Sequence, residues 1–151
     1  MSGPAPYTAA VIQWAPCVHD PVAGAARAAL AIDEAARNGA RLIVFPETWL
    51  QGYPYFSGLK GVDPEFQAYL HVLHDAAITR DGTALQPVMD AAACSRAHVV
   101  ISAHEKAGGT LYNTQFDIGP AGQLLGTHRK LMPTLQERLV WGMGDGSDLT
   151  V

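Results

Sequence analysis

Leu42-Ile43-Val44-Phe45-Pro46-Glu47 is the stretch that decides the fold class of this chain. Four consecutive apolar residues, two of them β-branched, predict a strand buried on both faces. Pro46 ends the run, and Glu47 follows as a carboxylate delivered at the strand's end. Upstream, Asp20-Pro21 has the form of a helix N-cap followed by proline at the first helical position. The alanine-rich stretch from Val22 to Asn38 carries Val22, Ala26, Ala29, Leu30 and Ile32 at near-helical spacing, and Gly39 is placed to close it. Tyr7 to Trp14 reads as a strand before that helix. Strand, helix and strand in this order form a β-α-β unit, which favours a right-handed crossover to a neighbouring parallel strand.

Downstream, Gln51 to Gly61 holds aromatic, proline and glycine residues and is expected to be a loop that builds a pocket wall. A second helix is expected over Pro64 to Thr79, with Phe66, Tyr69, Leu70 and Leu73 on one face. A third is expected over Thr83 to Ala97, with Leu85, Val88, Met89 and Ala92 inward. His98 to Ala103 reads as another buried strand. Thr110 to Ile118 and Gln123 to His128, joined by Gly119-Pro120-Ala121-Gly122, read as an antiparallel hairpin. About six strands and three helices make the fold class α/β or α+β with a largely buried sheet. A further strand is expected to begin at Asp148-Leu149-Thr150-Val151. The expectation is therefore one incomplete domain over residues 1–151, cut before its later strands.

Composition excludes several classes. The 151 residues carry a net charge of -4, with no basic stripe to neutralise phosphates, so no nucleic-acid partner is expected. No apolar run is long enough to span a bilayer. The first residues lack the basic and apolar regions of a secretory signal. Cys17 and Cys94 do not make a disulfide framework and read as inert, reduced thiols, so the expected location is cytoplasmic.

Chemistry concentrates in His128-Arg129-Lys130-Leu131-Met132-Pro133-Thr134, which sets one lysine between a strand and a proline that stops regular structure. Taken singly, Glu47 reads as a capping or ion-paired carboxylate and Lys130 as a surface lysine. Glu137 alone reads as a first-turn helix acid, and Tyr53 as an aromatic packed on the core. His71 and His74 share a helix face, but no third residue stands at ligand spacing. A metal-dependent hydrolase using them is therefore the weakest of the functional alternatives. His98 and His104 are expected to satisfy backbone groups. Gly144-Asp145-Gly146-Ser147 lacks the lysine of a phosphate loop and reads as a turn.

Taken together and in order, these blocks resemble the nitrilase branch of the carbon–nitrogen hydrolase superfamily. The resemblance runs through Val11-Ile12-Gln13 with Pro16, Phe45-Pro46-Glu47-Thr48, Gly52-Tyr53-Pro54 and Gly109-Thr110-Leu111-Tyr112-Asn113-Thr114. It continues through the lysine block, Glu137-Arg138-Leu139-Val140-Trp141-Gly142, and Gly144-Asp145-Gly146-Ser147. The resemblance implies an α-β-β-α sandwich and a Glu-Lys-Cys triad. It puts Glu47 at the general base, Lys130 at the lysine that stabilises the tetrahedral intermediate, and Glu137 at a second glutamate that orients lysine and substrate. Tyr53 becomes a substrate-binding candidate. The family's nucleophilic cysteine lies further along than Val151, and neither Cys17 nor Cys94 matches its position. His104, before Glu105, departs from the uncharged residue usual there, and Leu135-Gln136 depart from commoner small or polar residues.

The implied reaction converts a nitrile to a carboxylic acid and ammonia without metal or organic cofactor, and the implied full-length form is a homo-oligomer. A nitrile carbon needs a thiolate, and a carboxylate raised in pKa by burial would take the thiol's proton. Without its nucleophile this chain is expected to be inactive by itself. The alternative is a non-catalytic truncated homologue that serves as a binding or assembly subunit.

Overall fold

The computed structural model describes residues 6–55 and 60–149. Five strands form one sheet in the spatial order of the chain: β1 (Thr8–Val11), β2 (Ala40–Val44), β3 (His98–Ala107), β4 (Thr110–Ile118) and β5 (Leu124–Arg129). The first three run parallel, and β3-β4-β5 form an antiparallel meander. Helices α1 (Pro21–Arg37), α2 (Pro64–Ala76) and α3 (Gln86–Ser95) complete the regular structure, with a 3-10 turn at Leu135–Leu139.

Helix α1 begins as its sequence predicts. The Asp20 carboxylate accepts the Ala23 N–H at 2.9 Å, Pro21 follows, and Gly39 takes a positive φ of 87° just past the end. Helices α1 and α3 pack on one face of the sheet, burying Ala25, Ala28, Ile32, Val88 and Ala92 against Ile43, Val99, Ile101, Phe116 and Ile118. The alternation along β3 sends Val99, Ile101 and Ala103 into this core, and Val100, Ser102 and His104 to the opposite face. That opposite face carries the site.

Several expected boundaries move. The first strand stops at Val11, although Ile12 still donates its N–H to the Val44 carbonyl. β3 runs four residues past Ala103, because the tight Gly108-Gly109 turn lets β4 pair with it along its whole length. The third helix ends before Ala97 because Arg96 adopts the left-handed conformation and caps it. The sixth strand is not seen: Asp148 lies in a turn and Leu149 in no strand, while Thr150 and Val151 lie outside the described residues. Of the expected aromatic loop, Phe56 also lies outside them. One sheet is present, with α1 and α3 on one face of it, so the second sheet of an α-β-β-α sandwich is not among the described residues. No helix among them is long and apolar enough to cross a membrane.

Candidate active site

The site is built where β2 leaves the sheet. Phe45 still donates its N–H to the Val100 carbonyl at 2.9 Å, and Leu50 resumes pairing at the Ser102 carbonyl at 3.1 Å. Between them the chain bulges outward, with Thr48 in the left-handed region at φ 45°. The bulge carries Glu47 onto the open face of the sheet. Beyond it, the Gln51 side chain pairs with the His104 backbone through both its amide groups, and Ile78 then takes the place beside β3 that β2 has left.

Lys130 reaches the same spot from the far side of the sheet. Its backbone N–H donates to the Asn113 carbonyl at 2.8 Å, extending the β5 register by one residue. Arg129 and Lys130 therefore point to opposite faces. Lys130 Nζ lies 2.8 Å from Glu47 Oε1 and 2.9 Å from the Glu137 carboxylate. Glu47 is 45% exposed. The burial expected around the general base is thus not supplied by the described residues.

Glu137 is 6% exposed and serves two purposes. It stands at the third position of the 3-10 turn, where Oε2 accepts the Thr134 N–H at 2.6 Å and its hydroxyl at 3.1 Å. This is a capping box, where the sequence position by itself gave a first-turn helix acid. Oε1 accepts the Tyr53 hydroxyl at 2.6 Å. Burial alone would push the Glu137 carboxyl up, but the Thr134 N–H, the Tyr53 hydroxyl and the Lys130 ammonium outweigh it and hold it at about 2. For Lys130, burial would lower the ammonium, and its bonds to Glu47 and Glu137 outweigh that and raise it. Burial and the bond to Glu137 raise the Tyr53 hydroxyl, so it stays a donor. That hydroxyl, expected to meet substrate, is occupied by Glu137.

The structure thus brings Glu47, Lys130, Glu137 and Tyr53 together. It also places around them Asn113, Ser102 and Trp141, which carried no assignment in the sequence, and His104, which was expected to satisfy backbone groups. Asn113 Nδ2 donates to Glu47 Oε1 at 2.6 Å, and Ser102 Oγ is 3.3 Å from Asn113 Oδ1. Trp141 sets its ring 5.8 Å from Lys130 Nζ and 5.7 Å from the Tyr53 ring centroid. Trp141 Nε1–H donates to His104 Nδ1 at 2.9 Å, which makes Nε2 the protonated nitrogen donating to the Gly52 carbonyl at 3.0 Å. Burial lowers His104 to about 4, so this bridge is neutral. Asn113 and Trp141 stand inside quoted motif blocks, and that was their only signal. Ser102 had none.

A cleft of about 280 Å³ opens over this face, lined by Glu47, Lys130, Asn113, Ser102, Val44 and Val100 among others. Its mixed lining, with the Lys130 ammonium beside the Glu47 carboxylate, suits a small molecule whose reacting carbon develops charge. Cys17 and Cys94 do not line it. His71 and His74 lie exposed on α2, and the described residues contain no group of three side chains able to hold a metal.

Residues 8–151 match the model of the carbon–nitrogen hydrolase family. The chain is 43% identical to a nitrilase of Bradyrhizobium diazoefficiens over 98% of its own length and 47% of the relative's. It is 37% identical to an aliphatic nitrilase of Rhodococcus rhodochrous over 96% and 40%. Among solved structures, a CN-hydrolase superfamily protein of Xanthomonas campestris superimposes with a TM-score of 0.65 at 22% identity. That match covers 89% of this chain and 45% of the other. A carbon–nitrogen hydrolase of Helicobacter pylori gives 0.63 at 20% identity, over 90% and 44%. The chain spans less than half the length of these relatives.

Proposed function

This chain belongs to the carbon–nitrogen hydrolase family, and we propose that it supplies the base and the lysine of a nitrilase site whose nucleophile comes from elsewhere. The observation that carries this reading is the single ammonium of Lys130 bridging Glu47 and Glu137 at 2.8 and 2.9 Å. In the proposed reaction a cysteine thiol gives its proton to Glu47 while its sulfur bonds to the nitrile carbon, forming a thioimidate. Water adds to that carbon, ammonia leaves, and a second water releases the carboxylic acid and restores the thiol. Lys130 stabilises the charge that develops at the tetrahedral centre, a contribution typically worth about 2.7–4 kcal/mol. Glu137 holds Lys130 in place from the buried side.

The domain would be completed by a segment outside residues 1–151, in a homo-oligomeric and, given two free thiols, cytoplasmic protein. Loss of a nucleophile costs a hydrolytic triad on the order of 10⁶ in kcat, so the chain by itself is inactive in this account. The test combines the purified chain, mixed or fused, with the C-terminal half of a related nitrilase. The combination should release ammonia from a nitrile, the chain alone should not, and Lys130→Met should reduce the rate by roughly 10²–10³-fold. Ammonia release by the chain alone, or indifference to Lys130→Met, overturns the proposal. A combination that assembles but stays inactive favours a non-catalytic assembly subunit instead.

A further inference from the structure

We propose that Ser102 and Asn113 form a positioning relay that holds Oε1 of Glu47 and leaves Oε2 as the oxygen that accepts the proton in the reaction. This rests on the reading of Glu47 as general base and adds two residues to that site.

The relay is a closed ring. Ser102 on β3 faces Gln115 on β4, so Asn113, two residues from Gln115, is its diagonal neighbour on the same face of the sheet. Ser102 Oγ accepts the Thr48 N–H at 2.7 Å, which leaves its own proton to donate to Asn113 Oδ1 at 3.3 Å. The orientation of the Asn113 amide follows from this: its carbonyl faces Ser102, so its NH₂ faces Glu47, at 2.6 Å from Oε1. Glu47 precedes Thr48, and the ring closes through that peptide bond.

Three features separate this arrangement from ordinary polar packing. Ser102 and Asn113 are buried, whereas Glu47 is half exposed, so the partners packed in the fold orient the one that reaches the cleft. Lys130 Nζ shares Oε1 with Asn113, while among the described residues no hydrogen bond reaches Oε2. Asn113 also accepts the Lys130 backbone N–H through its own carbonyl. One residue therefore sets the register of the lysine and the rotation of the carboxylate, the two groups whose relative placement the chemistry needs. Displacement of a reacting group by about 1 Å is enough to lose on the order of 10²-fold in rate.

The test uses the whole chain, alone and combined with the C-terminal half of a related nitrilase. In the combination, Asn113→Ala should lower kcat by roughly 10²-fold with KM nearly unchanged. Ser102→Ala should act in the same direction, Ser102→Thr should recover most of the loss, and the double variant should be no worse than Asn113→Ala alone. In the chain alone, the side-chain amide resonances of Asn113 should shift on Glu47→Ala and on Ser102→Ala. Additive losses, a loss confined to KM, or an Asn113 resonance indifferent to both substitutions overturns the relay. Glu47→Gln serves as the control: full activity in that variant overturns the general-base reading. An inactive Glu47→Gln beside a fully active Asn113→Ala overturns only the relay.

Discussion

Replacing Arg129 with methionine should destabilise the chain by about 3 kcal/mol, the low end of the cost of stripping one partner from a buried ion pair. The reason lies on the helix side of the sheet, opposite the site. Glu105 is 1% exposed, and Arg129 meets it with two bonds of 2.6 and 3.0 Å. The Thr114 hydroxyl donates to it at 2.6 Å, and Arg80 Nε stands 3.4 Å away. Arg129→Met keeps an aliphatic stem over Tyr112 but leaves the carboxylate with Thr114 and the more distant Arg80. Those two survivors, and the 25% exposure of Arg129, place the cost at the low end. For 151 residues an unfolding entropy of about 0.32 kcal/mol/K converts 3 kcal/mol into a fall in Tm of about 9 °C. Removing both partners, as in Glu105→Leu with Arg129→Met, should cost less than removing Arg129 alone, because no uncompensated charge remains buried. The pH dependence has a definite sign. Burial pushes the Glu105 carboxyl up, but the bonds from Arg129 and Thr114 and the charges of Arg129 and Arg80 outweigh it and hold it low. Its contribution is present above the unfolded value near 4.5, is lost as pH falls through the folded value, and should shrink in Arg129→Met. Thermal and urea unfolding followed by circular dichroism measure all three quantities. A melting temperature unchanged in Arg129→Met, or a double variant less stable than the single one, would refute the reasoning.

His104, neutral and buried with its value lowered to about 4 from 6.5, should contribute a stability that is full above pH 6.5 and lost as pH falls to about 4. The difference amounts to about 3 kcal/mol, and His104→Gln should flatten the urea midpoint over that interval. Gly24→Ala should lower Tm despite a gain of about 1 kcal/mol in helix propensity, because a Cβ there would fall on the Leu50 carbonyl oxygen. Overpacking of this kind typically costs about 1–3 kcal/mol, and a rise in Tm would contradict the packing described. Tyr53→Phe removes the hydroxyl that donates to Glu137, so the Glu137 carboxyl should rise from about 2, as read by ¹³C NMR titration.

Local signals carried most of the fold. Asp20-Pro21 and Gly39 bound helix α1 because caps act over three or four residues, and the alternating core of β3 and β4 is visible as a period of two. Arg96 escaped notice because a left-handed cap normally announces itself as glycine or asparagine. The bulge at Thr48 escaped for a similar reason: nothing in Phe45-Pro46-Glu47-Thr48 says that the backbone turns left-handed there. The end of β2 at Val44 follows from that bulge together with Pro46.

Residue identity and order, by themselves, determined the α/β class and the family, and singled out the side chains Glu47, Tyr53, Lys130 and Glu137 as candidates. A strand, its caps and a motif are local or linear properties that survive in a string of letters. Which of them meet was decided only by the folded sheet. Glu47 and Lys130 lie 83 residues apart in the chain, and their contact depends on β2 leaving the sheet after Val44, opposite Val100, while β5 runs on to deliver Lys130 beside Asn113. Asn113 and Ser102 share the site's face by the pairing of β3 with β4, since a pairing shifted by one residue would have put them on opposite faces of the sheet. Their amide and hydroxyl are common groups at unremarked positions, and only cross-strand geometry gives them a carboxylate to hold.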